Sequence, residues 1–110
     1  IEKKNIKNAK KFVKNNKEFV NFIVDDSLNF LNLFKKKIDF LYLDSLDGQY
    51  ERASTHQLEE IKMAKGKLNQ NSLVLLDDKG SKTNLSIDFM LKNNFRIINE
   101  TKEQVLLSYW

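Results

Sequence analysis

Apolar residues along this 110-residue chain follow two spacings, one typical of helices and one typical of buried strands. Helical spacing predicts helices over 3–16, 50–65 and 84–93, and a helix over 28–36 that follows an N-cap at Ser27. Short continuous apolar runs predict strands over 19–24, 38–43 and 73–76. Helices and strands therefore alternate along most of the chain.

The C-terminal part departs from this alternation. Two further apolar segments, 95–99 and 104–110, are joined only by the residues from Glu100 to Glu103. A parallel crossover needs a dozen residues or more, so these segments are predicted to form an antiparallel hairpin. The predicted fold is α/β: a mostly parallel sheet with helices on both faces, closed by a C-terminal antiparallel β-hairpin.

Composition bounds the class of protein. Hydrophobic residues make up 41% and charged residues 31%, which is typical of one globular domain spanning 1–110. The chain has no cysteine, which excludes disulfides and thiolate metal sites. No apolar run approaches the 18 residues of a membrane span, and the first residues lack the apolar block of a signal peptide. We expect a cytoplasmic protein.

Positive charge is concentrated at one end of the chain. Residues 1–37 hold ten lysines against four acidic residues, whereas the rest is slightly acidic. A nucleic-acid surface usually brings arginine and interleaved aromatic residues, and this lysine-rich segment has no arginine. The lysine face therefore argues weakly for nucleic-acid binding, which we rank last among the candidate functions.

Carboxylates follow each of the first three predicted strands: Asp26, Asp44, and the pair Asp77 and Asp78. Ligands of open parallel α/β sheets bind outside the carboxyl ends of the strands, so these acids are expected along one rim. There they can accept hydrogen bonds from hydroxyls and amines, bind a divalent cation or act as bases. The alternative is that Asp26 and Asp47 are helix N-caps.

Three other side chains have two interpretations each. His56 is a surface histidine or a base. Tyr50 packs at a helix start or lines the pocket. Lys79 is a solvated loop residue or screens the acid pair.

Five segments carry a resemblance to a known family: EKKNIKNAKKFVKNN, VNFIVDDSLNFL, IDFLYLDSLDGQY, SLVLLDDK and FRIINETKEQVLLSYW. Together they resemble the class I, Rossmann-like S-adenosylmethionine-dependent methyltransferases, from the second strand of that fold onward. The resemblance implies methyl transfer to a hydroxyl or amine of a small-molecule substrate. It also implies that Asp26, with Ser27, contacts the adenine of the cofactor. Asp44 would lie near its methionine end and orient the substrate as the catalytic residue.

A narrower resemblance concerns the metal-dependent O-methyltransferase branch. Asp44, Asp77 and Asp78 stand where that branch holds Mg²⁺ or another divalent cation. The lysine of that branch, three residues after the fourth-strand acid, corresponds to Asp47. Its Pro-Gly-Gly before the fifth strand corresponds to Asn69–Asn71.

The glycine-rich cofactor loop of the family has no counterpart, since no Gly-x-Gly occurs in these 110 residues. We therefore expect the chain to be an incomplete domain that is inactive alone, with exposed apolar strand edges that homo-oligomer formation would cover. The alternative function is a non-catalytic, Rossmann-like binding or regulatory module.

Overall fold

The computed structural model describes Lys7 and residues 20–44, 52–80 and 82–110. The described residues form three helices and four strands: α1 (Ser27–Leu33), β1 (Ile38–Leu43), α2 (Ala53–Lys65), β2 (Leu68–Leu76), α3 (Asn84–Leu91), β3 (Phe95–Glu100) and β4 (Val105–Tyr109). Apart from Lys7, the helix predicted over 3–16 lies outside these residues, as do positions 50 and 51 of the helix predicted over 50–65.

The four strands form one mixed sheet in the order β1-β2-β4-β3. β1 runs parallel to β2, and β4 is antiparallel to both of its neighbours. The parallel pairing of the predicted strands 38–43 and 73–76 is therefore confirmed, and so is the antiparallel C-terminal hairpin. The last strand of the chain enters the sheet between β2 and β3, so β1 is an edge strand of this sheet.

The hydrophobic core lies against one face of the sheet. Alternation along the strands puts Leu43, Leu76 and Leu107 on that face, where Ile61 of α2 and Met90 of α3 pack with them. The side chains of Phe40 and Tyr42 project from the opposite face of β1 and are 54% and 47% exposed. Helices were predicted on both faces, whereas α2 and α3 both pack on the core face.

The strand predicted over 19–24 is wrong for its described part, residues 20–24, which has no strand structure. Ile23 and Val24 are 48% and 53% exposed. An apolar run becomes a strand only where another strand offers backbone hydrogen bonds. Among the described residues, β1 and β3 are the edges of the sheet, and neither of them pairs with this segment.

The helix predicted over 28–36 forms one residue earlier and ends sooner, as α1. Its N-cap is Asp26, not Ser27, because Asp26 has extended backbone angles and its Oδ1 accepts a hydrogen bond from the N–H of Leu28 at 2.9 Å. Ser27 is the first helical residue. α1 stops at Leu33 because Phe34 takes an extended conformation, with ψ of 124°.

β2 is longer than predicted because its first part contains a bulge. Ile38 pairs with Leu68, but Phe40 already pairs with Leu73, so the register shifts within Leu68–Leu73. Asn71 takes a left-handed conformation there, with φ of 71°. The regular pairing with β1 therefore begins at Leu73, where the predicted strand begins.

No helix in the described ranges is both long and apolar enough to cross a membrane.

Candidate functional site

Three of the four predicted rim acids lie together at the end of the β1–β2 pair. Leu43 and Leu76 are direct partners in the parallel register, so Asp44 and Asp77 leave the sheet side by side. One carboxylate oxygen from each of Asp44, Asp77 and Asp78 lies within 4.8 Å of the others. The expectation that strand ends would gather these three acids is therefore confirmed. We call this cluster the acid rim.

A lysine that the sequence interpretation passed over lies within the acid rim. The Lys82 Nζ donates a hydrogen bond to Asp44 Oδ1 at 2.9 Å and lies 3.4 Å from Asp78 Oδ2. Its side chain is 1% exposed, whereas those of Asp44 and Asp78 are 44% and 40% exposed. The cation is thus the buried member of the cluster, and the carboxylates face solvent.

The loop after β2 brings Lys82 back to the rim. Asp78 and Gly80 both have positive φ, 61° and 83°, so the chain reverses direction within a few residues of the strand end. After this turn, Lys82 lies close to Asp78, four residues before it, and to Asp44 at the end of the neighbouring strand β1. The sequence signal was the spacing of Asp78 and Lys82, which also occurs between ordinary surface residues.

The electrostatics of the rim keep Lys82 charged. Burial opposes the charge of its ammonium group, but the hydrogen bond from Lys82 to Asp44 and the charges of Asp44 and Asp78 outweigh burial and raise the pKa of Lys82. An ammonium bound to two carboxylates therefore persists at neutral pH.

Tyr42 adjoins the rim from the exposed face of β1. Partial burial raises the pKa of its phenol, and the charges of Asp44 and Asp77 raise it further, together with a hydrogen bond to Asp44. The Lys82 charge acts in the opposite direction. Tyr42 is thus a neutral phenol next to Asp44, a position that strand alternation between residues 42 and 44 explains.

Lys79 contacts the hairpin rather than the acid pair. Its Nζ lies 3.0 Å from Glu100 Oε2 and donates to the carbonyl oxygen of Thr101 at 3.2 Å. Its backbone N–H donates to the carbonyl oxygen of Glu103 at 2.8 Å. Lys79 therefore fixes the loop after β2 to the connection between β3 and β4.

The fourth predicted rim acid has a different environment. Asp26 caps α1 with one carboxylate oxygen and is exposed. It is not among the three acids whose oxygens cluster within 4.8 Å, as far as the described residues extend. The structure thus supports the cap interpretation of Asp26 and leaves its carboxylate accessible to a ligand. Asp47 and Tyr50 lie outside the described residues.

Ser27, the other predicted cofactor residue, contacts the single histidine. Ser27 Oγ lies 3.3 Å from His56 Nε2, which links α1 to α2. The same Nε2 lies 3.7 Å from Glu60 Oε2, one helical turn further along α2. The side chain of Glu60 is 1% exposed, although it is acidic. A nucleophile–base–acid relay needs the two ring nitrogens separately, and here both oxygens approach one nitrogen.

No protein-family model matches this chain, and no curated protein matches it either.

Proposed function

We propose that this chain is part of a class I, Rossmann-like S-adenosylmethionine-dependent methyltransferase that methylates a hydroxyl or amine of a small molecule. One observation carries the proposal: the two adjacent parallel strands β1 and β2 end in Asp44, Asp77 and Asp78, whose carboxylates converge. Ligands of parallel α/β sheets bind at such strand ends. The antiparallel hairpin that follows agrees with the family resemblance of the sequence.

Asp44 is the proposed substrate-orienting residue. It is 44% exposed, so a substrate hydroxyl or amine can reach its carboxylate. The buried Lys82 donates a hydrogen bond to one of the two carboxylate oxygens, Oδ1. Tyr42 adds a neutral phenol beside it. A carboxylate held by a buried ammonium keeps a fixed position, which methyl transfer needs because the nucleophile must stand in line with the breaking bond.

Asp26 and Ser27 are the proposed adenine-binding residues. The cap uses one oxygen of the exposed Asp26 carboxylate, and the second oxygen is available to accept from an exocyclic amine. This arrangement fits an adenine at the start of α1. Ser27 would hold its position through His56.

The proposed reaction balances without a covalent enzyme intermediate. S-adenosylmethionine supplies an electrophilic methyl group on a sulfonium. The substrate oxygen or nitrogen forms a bond to that methyl carbon, the carbon–sulfur bond breaks, and its electron pair stays on sulfur. The proton of the acceptor leaves to the carboxylate of Asp44 or to water.

The divalent cation of the O-methyltransferase branch does not fit this rim. Mg²⁺ requires carboxylate oxygens at about 2.1 Å in octahedral geometry. The Lys82 ammonium already pairs with Asp44 and Asp78, two of the three carboxylates that would bind the ion, and its positive charge would repel it. We therefore infer a reaction that has no metal step.

The second candidate is a non-catalytic binding or regulatory module with the same fold. The observation that favours it is the internal charge compensation of the rim, where the charge of Lys82 partly neutralises Asp44 and Asp78 and so weakens their attraction for a ligand cation. Such a module would bind S-adenosylhomocysteine, or another ligand, without transferring methyl groups.

The test uses the full product of the gene, whatever its length. Isothermal titration with S-adenosylhomocysteine measures cofactor binding, and transfer of a tritiated methyl group to a library of small hydroxyls and amines measures activity. Asp26→Ser keeps a good N-cap but removes the carboxylate. We expect this variant to bind S-adenosylhomocysteine about tenfold more weakly, which corresponds to the loss of one hydrogen bond to a charged group.

Asp44→Asn is the activity variant, and Asp39→Asn is its matched control, because Asp39 is an exposed acid at the other end of β1. We expect methyl transfer to fall in Asp44→Asn and to be unchanged in Asp39→Asn. Binding of S-adenosylhomocysteine without any methyl transfer would favour the regulatory module. Absence of binding by the full gene product would refute both candidates in their cofactor-dependent form.

A further inference from the structure

The three carboxylates of the acid rim lie close enough together to repel one another. Three carboxylates whose oxygens lie within 4.8 Å of one another repel, and the repulsion destabilises the folded chain unless a cation sits among them. Many such clusters bind a divalent ion from solution. In this structure a cation from the chain itself already contacts two of the three acids.

The backbone on both sides of Lys82 holds this residue at the rim. Lys82 follows the two positive-φ residues Asp78 and Gly80, which reverse the chain after β2. Upstream of it, Lys79 fixes the loop to the hairpin by three contacts. Downstream, α3 begins two residues later, at Asn84. Both flanks are therefore held, and the side chain is 1% exposed.

A divalent ion at the acid rim would compete with the Lys82 ammonium for the carboxylates of Asp44 and Asp78. Asp44 Oδ1 lies 2.9 Å from Lys82 Nζ, and Asp78 Oδ2 lies 3.4 Å from it. An ion bound to these carboxylates would stand close to a buried positive charge, and the repulsion between the two cations would oppose its binding.

We propose that Lys82 is the resident cation of the acid rim: it neutralises and positions Asp44 and Asp78 and keeps divalent metal ions out. Lys82 is thus a positioning residue. The rim excludes divalent cations but leaves the exposed carboxylate of Asp44 open to other ligands. This inference concerns the rim alone and is independent of whether the domain binds S-adenosylmethionine.

The first experiment measures Mn²⁺ binding by electron paramagnetic resonance of the free ion. Wild type, Lys82→Gln and Lys79→Gln are titrated to about 1 mM, where the weakest protein Ca²⁺ sites still fill. Lys79→Gln is the matched control, since it removes the same charge from the same loop but from a lysine that pairs with Glu100. We expect saturable binding only in Lys82→Gln, at least about tenfold tighter than in the other two proteins.

Adding Asp78→Asn to Lys82→Gln should abolish the new Mn²⁺ site, because it removes one of the rim carboxylates. Stoichiometric Mn²⁺ binding by wild type that Asp78→Asn removes would overturn the proposal. So would a Lys82→Gln protein that folds and binds Mn²⁺ no better than Lys79→Gln. Circular dichroism of each variant verifies that it is folded.

A second measurement does not depend on Lys82→Gln being folded. The melting temperatures of wild type, Asp44→Asn and Asp77→Asn are compared in buffer with EDTA. With Lys82 as resident cation, Asp44→Asn should lower the melting temperature, whereas Asp77→Asn, which removes repulsion from the rim, should leave it unchanged or raise it. A higher melting temperature in Asp44→Asn would overturn the proposal, because an acid cluster without an internal cation gains stability when one charge is removed.

Discussion

The Nζ of Lys82 donates to Oδ1 of Asp44 at 2.9 Å, although 38 residues separate the two along the chain. The contact joins the loop after β2 to the end of β1, so it crosses between the two parallel strands. It gives the exposed carboxylate of Asp44 a buried positive partner. The acid rim is therefore a mixed-charge cluster, and its stability should depend on the charge of Lys82.

The first prediction concerns alkaline pH. Burial disfavours the charged Lys82, but Asp44 and Asp78 outweigh it and raise the pKa of this lysine. A folded-state pKa above the unfolded value stabilises the fold at lower pH, and this contribution is lost as pH rises through the folded pKa. We expect the free energy of unfolding to fall above about pH 10, the ordinary lysine range. Urea unfolding at several pH values measures it.

Tyr42 acts in the same direction and must be separated from Lys82. Its pKa is also raised, so its ionisation at high pH also removes stability. Tyr42→Phe removes that contribution and should retain the part of the alkaline loss that belongs to Lys82. If Tyr42→Phe alone abolishes the pH dependence, the assignment to Lys82 is wrong.

The second prediction concerns the bulge in β2. Ser72 Oγ donates to the carbonyl oxygen of Ile38 at 2.7 Å and accepts from the N–H of Asn69 at 2.8 Å. Ser72 is 3% exposed, so Ser72→Ala leaves two backbone groups without these partners. We expect a loss of about 1–3 kcal/mol in the free energy of unfolding.

Gln70→Ala is the control for Ser72→Ala, because Gln70 lies in the same bulge and is exposed. It should change the free energy of unfolding by less than about 0.5 kcal/mol. Equal effects of the two substitutions would show that the bulge is not held by Ser72.

The third prediction concerns the start of α1. Asp26→Ala removes the side-chain cap that accepts from Leu28 N–H, and we expect it to cost about 1 kcal/mol of stability. Asp26→Asn keeps an accepting oxygen and should cost much less. Thermal or urea unfolding measures both. A similar loss in the two variants would assign the effect to the charge of Asp26 instead of the cap.

The fourth prediction concerns self-association through β1. β1 is an edge strand of the described sheet, and Phe40 on it is 54% exposed. Unprotected apolar edge strands pair with other chains, so we expect a concentration-dependent dimer or larger species. Phe40→Lys should shift it towards the monomer in sedimentation velocity experiments.

Gln70→Lys adds the same charge to an exposed residue of β2, which is not an edge strand of the described sheet, and it should leave the oligomeric state unchanged. A wild-type protein that remains monomeric at the highest attainable concentration would refute this self-association.

The pattern of apolar residues and the lengths of the connections correctly predicted the strand over 38–43 and the C-terminal hairpin. The strand over 38–43 forms at the predicted residues, with Leu43 buried on the core face and Phe40 and Tyr42 exposed on the other face. The short connection from Glu100 to Glu103 allowed only a hairpin, and the hairpin is present. The parallel pair then brought Asp44, Asp77 and Asp78 together, since strand ends of parallel neighbours share one edge.

Other features depend on partners that a linear pattern does not contain. The apolar run at 20–24 has strand composition, but none of the four described strands pairs with it, and it has no strand structure. Glu60 has the sequence context of a solvated helical residue, yet α1 packs on α2, His56 lies 3.7 Å from it, and it is buried. The sequence pattern did not single out Lys82, which reaches the rim after a turn that contains the positive-φ residues Asp78 and Gly80.

The sequence by itself thus determined the α/β class, the hairpin and the convergence of three carboxylates. These features follow from the spacing of apolar residues and from the length of each connection, which decides whether two strands run parallel or antiparallel. Only the tertiary structure decided that the cation among those carboxylates is Lys82. That contact joins residues 38 positions apart, and its formation depends on how a loop closes over the end of a neighbouring strand.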